Sequence, residues 1–320
     1  MRVLFWGTPE FATPALRALL GEGFDVVGVV TQPDRPRGRS RSTLVPSPVK
    51  RIALEESLPV LQPERPRGPE FLGELQALRP DVSVVVAYGH ILPKSAIDAP
   101  LAGTLNIHAS LLPALRGAAP IQAAILQGLT ETGVTIMRMV PQLDAGPILL
   151  QARTPIVEDE TYGELQLRLS ELGAQALIEA LARIGVGSAT ETPQDDALAT
   201  YAPKVERDDA RVDWTADGRT VARVVRAYDP RPGAFTTLRD AEVKLFGARP
   251  APDARGDPGE VIAVDEAGML VGCGTGGVRI TYVHPAGRRR LAALDWAQGR
   301  GVSVGDRFEG QGTRDEGRAP

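Results

Sequence analysis

The sequence predicts two folded domains, an α/β domain with a mostly parallel sheet followed by a small, mostly β domain. Up to about residue 186, short apolar runs alternate with segments in which apolar residues recur at helical spacing. This alternation is typical of a parallel sheet covered by helices on both faces. Beyond a polar stretch, short strand-like runs recur with glycine and proline between them, which is typical of a barrel or sandwich.

The elements of the first domain follow from local patterns along the chain. Apolar and β-branched runs predict strands at residues 3–6, 26–30, 82–87, 105–107 and 134–136. Helical spacing predicts helices at residues 11–20, from 48 onward, 71–78, 120–127 and 161–185. Two helices have recognisable starts. Ser47-Pro48 is typical of an N-cap followed by proline, and Thr161-x-x-Glu164 is a capping box.

The second domain is predicted from shorter signals. We expect a helix at residues 221–228 and strands at 234–238, 243–246, 261–264, 269–271 and 278–283. The predicted boundaries are 1–187 for the first domain, 188–206 for a linker and 207–308 for the second domain. Residues 309–320 lack periodicity, so we expect a disordered tail.

The charge balance limits how the protein can contact nucleic acid. With 36 Lys and Arg against 40 Asp and Glu, the net charge of −4 excludes binding through a uniformly basic surface. Any contact must come from a local patch. The strongest patch has four arginines within seven residues, namely Arg35, Arg37, Arg39 and Arg41, and a second is Arg288-Arg289-Arg290. The alternative interpretation of either run is a solvated loop.

Composition also indicates the compartment and disfavours a metal site. No apolar run reaches the roughly 18 residues that a membrane span needs, and the first residues lack a signal-peptide pattern. A single cysteine, Cys273, excludes an intramolecular disulfide, and three histidines make a metal cluster improbable. These features predict a cytoplasmic protein with no membrane association and no metal.

The loop after the first strand argues against a dinucleotide cofactor. A Rossmann-like sheet that binds a nicotinamide carries G-x-G-x-x-G at this point, whereas this chain has Gly7-Thr8-Pro9 followed by Phe11. The loop can still approach a ligand at the sheet edge, because open α/β sheets bind ligands there. An ordinary strand-to-helix turn is the alternative.

Asn106 and His108 form the first candidate catalytic pair. Two residues apart at the end of a predicted strand, they project to the same face. An amide donor beside an imidazole suits a reaction in which charge develops on a carbonyl oxygen, since the amide stabilises the oxyanion and the imidazole can move a proton. The alternative for a lone histidine is a structural role.

Asp144 is the candidate partner of His108. It lies in a loop shortly after the predicted strand at 134–136, and loops at one end of a sheet converge even when they are distant in sequence. A carboxylate beside His108 would orient the imidazole. The alternative is a turn residue before Gly146.

A series of motifs in fixed order then identifies a family. The motifs are Gly7-Thr8-Pro9-Glu10-Phe11, Thr31-Gln32-Pro33-Asp34-Arg35-Pro36-x-Gly38-Arg39, Pro46-Ser47-Pro48-Val49-Lys50, Val85-Val86-Ala87-Tyr88-Gly89-x-Ile91-Leu92-Pro93, Asn106-x-His108-x-Ser110-Leu111-Leu112-Pro113, Arg116-Gly117-Ala118-Ala119-Pro120-Ile121-Gln122 and Leu143-Asp144-x-Gly146. From residue 2 to about 308, the chain resembles the 10-formyltetrahydrofolate-dependent formyltransferases. Within that family it is most similar to members that formylate the methionine on initiator tRNA.

The resemblance implies a role for each matched segment. Asn106, His108 and Asp144 correspond to the family's catalytic trio, and 10-formyltetrahydrofolate would be the co-substrate. The implied folate contacts are Tyr88, Ile91, Leu92, Ser110, Leu111, Leu112, Pro113, Gln142 and Leu143. The arginine loop would reach the acceptor stem of initiator methionyl-tRNA, and Arg39 is its best-matched position. The second domain would be a barrel of the oligonucleotide-binding (OB) type, and the protein a monomer.

The chain departs from the family pattern in three places. Gln142 stands where glycine is usual, and Arg41 extends the basic loop where paired lysines are common. In the second domain, Asp229-Pro230-Arg231-Pro232-Gly233 replaces a typical Asn-Pro-Trp-Pro-Gly.

Other functions share parts of this pattern. Sugar-nucleotide N-formyltransferases use the same donor and trio but lack the Gln32-to-Arg39 motif and Ala119-Pro120-Ile121-Gln122. The glycinamide-ribonucleotide type lacks a barrel domain, and a formyl-folate hydrolase would pass the formyl group to water. A non-catalytic RNA-binding module is the alternative from another class, and the intact trio argues against it.

Overall fold

A computed structural model describes residues 1–37 and 43–310, and contacts within the chain divide it into two compact units. The first unit comprises Met1–Pro120, Glu131–Pro155 and Gln166–Ala202. The second comprises Ile121–Thr130, Ile156–Leu165 and the chain from Pro203 onward. The division therefore does not fall at a single point of the sequence.

The first unit contains a seven-stranded, mostly parallel sheet. Its strands, with two short pairs outside the sheet, are β1 Arg2–Gly7, β2 Asp25–Val30, β3 Arg35–Arg37, β4 Thr43–Val45, β5 Val60–Leu61, β6 Val82–Val86, β7 Thr104–His108, β8 Arg116–Gly117, β9 Glu131–Arg138, β10 Ile148–Pro155 and β11 Tyr201–Ala202. The sheet order is β10-β9-β7-β6-β1-β2-β5. The five neighbouring strands β7, β6, β1, β2 and β5 run parallel to one another. Strands β9 and β10 are antiparallel to their neighbours. The predicted fold class is confirmed.

Helices connect these strands. They are α1 Thr13–Gly21, α2 Pro48–Glu55, α3 Pro69–Ala77, α4 Lys94–Ile97, α5 Pro120–Leu126 and α6 Tyr162–Gly185, with 3-10 turns at Glu10–Ala12 and Asp196–Leu198. Both predicted helix starts are confirmed. The Ser47 hydroxyl accepts from the Lys50 N–H at 3.0 Å. Thr161 and Glu164 cap α6 reciprocally, at 2.9 Å and 3.3 Å. The hydrogen bonds that the Thr161 N–H and hydroxyl donate to the Glu164 carboxylate lower the pKa of Glu164.

The second unit is an antiparallel barrel. After a 3-10 turn at Asp208–Ala210, its elements are α7 Gly218–Ala227, β12 Ala234–Leu238, β13 Ala241–Ala251, β14 Val261–Asp265, β15 Gly268–Gly272, β16 Gly277–Pro285, β17 Leu291–Ala292 and α8 Ala293–Gln298. The strand order is β12-β13-β16-β15-β14, with β17 beside β16. Every strand predicted for this domain lies within one of these elements.

A short segment near the end of the described chain closes this barrel. The Glu309 N–H donates to the carbonyl of Thr237 in β12 at 2.8 Å, and the Phe308 N–H donates to that of Gly259, just before β14, at 2.8 Å. The segment thus joins the two edges of the sheet. Phe308 is fully buried and stacks against Trp214 and Trp296, at ring-centroid distances of 5.6 and 6.5 Å. Glu309 belongs to the tail predicted to be disordered, and residues 311–320 lie outside the described residues.

Two parts of the first unit differ from the sequence interpretation. Strand β10 was not predicted, since its alternation is weak and only one of its eight residues, Leu149, is buried. The stretch predicted as a linker, residues 188–206, contains β11, which pairs with β8, and a bridge between Thr192 and Ile148. Among the described residues, no helix is long and apolar enough to cross a membrane.

Candidate active site

His108 ends β7 and is almost fully buried, with 5% of its surface exposed. Its Nε2 atom lies 2.9 Å from the carbonyl oxygen of Leu115. Because a carbonyl oxygen can only accept, Nε2 carries a hydrogen and donates it. The other ring nitrogen, Nδ1, lies 3.6 Å from Oδ2 of Asp144. That gap exceeds a direct hydrogen bond, so Nδ1 stays free to contact a reacting atom or a water.

Asp144 reaches His108 by a route that differs from the predicted one. Because β9 runs antiparallel to β7, Arg138 at its end pairs with Leu105, while His108 pairs with Thr135. The loop therefore leaves the sheet away from the imidazole. Nine residues, 139–147, bring the carboxylate back to it. The predicted proximity holds, but the argument from converging strand ends is wrong.

The backbone around Asp144 holds its side chain in place. The Gly117 N–H donates to Oδ2 at 2.8 Å, and the Gln194 side-chain amide donates to the carbonyls of Asp144 and Gly146 at 2.8 and 2.7 Å. A Cβ at Gly146 would lie 1.8 Å from the Arg138 carbonyl oxygen, so only glycine allows the loop to fold back against β9 here.

Asn106 lies two residues before His108 on the same strand, and it is partly exposed. Within the described parts of the chain, its side-chain amide has no hydrogen-bond partner. An amide that is held by a strand but left without a partner is free to donate to a ligand.

The turn at residues 110–113 packs against β9 through one buried hydroxyl. Thr135 donates to the Ser110 carbonyl at 2.6 Å and accepts from the Leu112 N–H at 3.1 Å. Gln151 of β10 donates to the Leu112 carbonyl at 2.8 Å and to the Thr135 hydroxyl at 3.0 Å. Ser110 is buried and donates to the Ala114 carbonyl, whereas Leu111 and Pro113 are partly exposed.

The other expected folate contacts divide into buried and exposed residues. Tyr88 is 1% exposed, and its ring packs edge-on against Trp6 in the core. Burial raises the pKa of its phenol to about 12. Leu92 is also buried. In contrast, Ile91 is 89% and Leu143 58% exposed, and Gln142 is exposed, so these loops present apolar side chains to the solvent.

The arginine patch is only partly described. Arg35 is exposed at the start of β3, and Arg37 ends that strand, which pairs with β4 as a hairpin. Arg39 and Arg41 lie outside the described residues. In the second unit, Arg290 is not free, because its guanidinium stacks on Phe246 at 4.2 Å and lies 3.5 Å from Asp229.

Sequence reasoning missed the residues that support this site, chiefly Thr135, Gln151 and Gln194. The available signal was Thr135 itself, a polar residue within an apolar run. It lies directly opposite His108 in the neighbouring strand. Arg116, 3% exposed, holds Gln194 through two hydrogen bonds. In the described chain, no cluster of three or more histidine, cysteine or acidic side chains could hold a metal ion.

Comparison with protein families gives two matches. Residues 1–181 match the family described as "Formyl transferase", and residues 204–301 match "Formyl transferase, C-terminal domain". Among curated proteins, a methionyl-tRNA formyltransferase of Aromatoleum aromaticum is 49% identical over 97% of both chains. One of Methylococcus capsulatus is 50% identical over 92% of this chain and 96% of its own.

Solved structures share the fold at low sequence identity. HypX from Aquifex aeolicus in complex with tetrahydrofolic acid has a TM-score of 0.65 and 24% identity, covering 95% of this chain and 48% of that protein. An N-formyltransferase from Helicobacter canadensis, with folinic acid and dTDP-3-aminofucose, has a TM-score of 0.67 and 15% identity, covering 90% of this chain and 99% of its own.

Proposed function

The chain belongs to the formyl transferase family, and on that basis we propose that it transfers the formyl group of 10-formyltetrahydrofolate to the α-amino group of methionyl initiator tRNA. The observation that carries this function is the extent of the likeness to methionyl-tRNA formyltransferases, at 49% identity over 97% of both chains. The sugar N-formyltransferases among the structural neighbours are more distant, at 15% identity for the enzyme with dTDP-3-aminofucose.

The site geometry supports a direct transfer. The free amine attacks the formyl carbon on N10 of the folate, and a tetrahedral oxyanion forms. The unpartnered amide of Asn106 and a proton on His108 Nδ1 would stabilise it. Asp144, held by the Gly117 N–H, would stabilise the charged imidazole and accept the amine proton, directly or through a water. The proton taken from the amine passes to N10 as the bond between N10 and the formyl carbon breaks, and tetrahydrofolate leaves.

This reaction needs no covalent enzyme intermediate. The one cysteine, Cys273, belongs to the second unit, and burial raises the pKa of its thiol to about 12. A thiol in that environment stays protonated and is a poor nucleophile.

Donor binding would use the turn at residues 110–113 and the two loops that carry Ile91 and Leu143. Apolar side chains that are 89% and 58% exposed offer a surface for a flat, partly apolar ring system. Tyr88 would act from the core, since its buried ring anchors the loop.

The test is formyl transfer from 10-formyltetrahydrofolate to charged initiator methionyl-tRNA, with charged elongator methionyl-tRNA and an amino-sugar nucleotide as parallel acceptors. Rapid transfer to the initiator alone is the expected result. Transfer to the amino-sugar nucleotide but to neither tRNA would support the role of the trio and show that the acceptor is an amino sugar. No transfer to any acceptor would remove the proposed role of the trio.

The proposed contact between the arginine loop and the acceptor stem has its own test. Arg39→Ala should raise KM for methionyl-tRNA and lower the slope of log affinity against log salt by about 0.7–0.9, since one phosphate contact is lost. The KM for the folate should not change. An unchanged salt slope would place Arg39 away from the tRNA.

A further inference from the structure

One buried glutamine, Gln32, joins the folate-side loop to the base of the arginine hairpin. It follows β2 and is 9% exposed. Its side-chain nitrogen Nε2 donates to the carbonyl of Tyr88 at 3.0 Å. Its side-chain oxygen Oε1 accepts from the guanidinium of Arg35. The two ends of a single amide are therefore used by two different loops.

The backbone of Gln32 is held as well. The Gln62 side chain donates to the Gln32 carbonyl at 2.9 Å, and the Thr8 hydroxyl accepts from its N–H at 3.4 Å. That hydroxyl also donates to the Tyr88 carbonyl, at 3.0 Å. A movement of Gln32 together with one loop would therefore strain its hydrogen bond to the other loop.

The hairpin base is fixed at the neighbouring position too. Asp34 pairs with Lys50 at 2.6 Å and accepts from Gln62 at 2.9 Å, and both hydrogen bonds hold the pKa of Asp34 below its ordinary value. On the other side, a Cβ at Gly89 would lie 2.3 Å from Nε2 of Gln32. The loop that begins at Ala87 thus packs directly on the glutamine amide.

We propose that Gln32 is a positioning residue that couples the binding of the two substrates. This inference rests on the proposed function, in which the loop bearing Tyr88 encloses the folate and the hairpin contacts the tRNA. A ligand that holds either loop in this arrangement also holds the shared amide, so the second ligand meets a loop that is already positioned. By linkage, each substrate then tightens the binding of the other by the same factor.

Two variants test this proposal, and each removes one of the two hydrogen bonds made by the Gln32 amide. Gln32→Glu keeps an acceptor for Arg35 but loses the donor to the Tyr88 carbonyl, and Arg35→Met removes the hairpin end at an exposed position. Charged initiator methionyl-tRNA is titrated with and without saturating tetrahydrofolate, a pair that cannot react. The wild type should bind the tRNA about fivefold more tightly with the folate present, and each variant should show a ratio near one.

Gln76→Glu is the matched control, because it makes the same chemical change at an exposed position of α3. It should keep the wild-type ratio. The absence of coupling in the wild type, or wild-type coupling in either Gln32→Glu or Arg35→Met, would overturn the inference. A failure of formyl transfer by the wild type would instead overturn the proposed function, since the coupling is measured without turnover.

Discussion

Two largely buried carboxylates, one in each unit, show how the partner decides what an aspartate can do. The side chain of Asp144 is 14% exposed and that of Asp229 is 8% exposed. Each accepts one backbone N–H, from Gly117 at 2.8 Å and from Gly247 at 3.1 Å respectively. The difference is that Asp144 faces an imidazole, whereas Asp229 faces the guanidinium of Arg290.

The guanidinium is a fixed partner and the imidazole is not. The guanidinium of Arg290 lies over the rings of Phe246 and Tyr282, at 4.2 and 5.1 Å from their centres, and a guanidinium does not serve as a general acid or base in proteins. Its contact with Asp229 can therefore only be structural. An imidazole can serve as a general acid or base, so the contact of His108 with Asp144 can take part in a reaction.

The largest expected effect is at the two candidate donors on β7. His108→Ala or Asn106→Ala should lower kcat by about 10²–10³-fold, the usual cost of removing one oxyanion donor. Folate binding should be largely retained, because neither side chain belongs to the turn proposed to contact the folate. Single-turnover formyl transfer and a folate titration measure the two quantities separately. A near-normal kcat in His108→Ala would contradict the assignment.

A matched pair of substitutions tests the comparison directly. Asp144→Asn should lower kcat by about 10²-fold or more, since it removes the charge proposed to stabilise the imidazolium and to receive the amine proton. Asp229→Asn removes the charge that faces Arg290. It should change kcat by no more than about twofold, which is well below the effect of losing general acid–base catalysis. Steady-state kinetics on both variants decide the matter. Equal losses would mean that the imidazole does not distinguish the two sites.

The smallest expected effect is on stability, at Asp229. Burial is the main reason that its pKa lies above the ordinary value of 3.8. The folded state therefore keeps this proton at pH values at which the unfolded state has lost it, so this group's contribution to stability falls as pH rises from 3.8 through the folded-state pKa.

Asp229→Asn should remove that fall. Urea unfolding of the wild type and the variant across acidic pH gives the free energy of unfolding of each. Carboxylates whose pKa is lowered, such as Glu164, contribute equally to both proteins, so their contribution cancels in the difference. The variant should gain relative to the wild type as pH rises, by less than the roughly 3 kcal/mol that bounds most point substitutions. A difference that is constant with pH would mean that Asp229 titrates normally.

Sequence reasoning predicted the elements with strong local signals and the relative placement of two candidate catalytic residues. Ser47 and the pair Thr161 and Glu164 cap helices as expected, because a capping hydrogen bond depends on neighbours within one turn. Asn106 and His108 share a face of one strand, because strand geometry fixes that relation locally.

The sequence could not predict contacts that depend on strand direction and on distant partners. Nothing local shows that β9 runs antiparallel to β7, and that direction sets the path by which Asp144 returns to His108. Gln194 lies 50 residues beyond Asp144 in a stretch that lacks periodicity, yet it holds the carbonyls on both sides of Ala145. The departure at Asp229 appeared only as a changed motif, and its partner Arg290 appeared only as part of a basic run.

The segment that closes the barrel also provides an optical reporter. The chain has three tryptophans, and two of them, Trp214 and Trp296, lie against Phe308. Most of the intrinsic tryptophan fluorescence should therefore respond to the packing of Phe308 against these two indoles. A chain shortened before Phe308 would leave both indoles without their stacking partner. Emission spectra can thus follow the completion of the barrel during refolding without any added label.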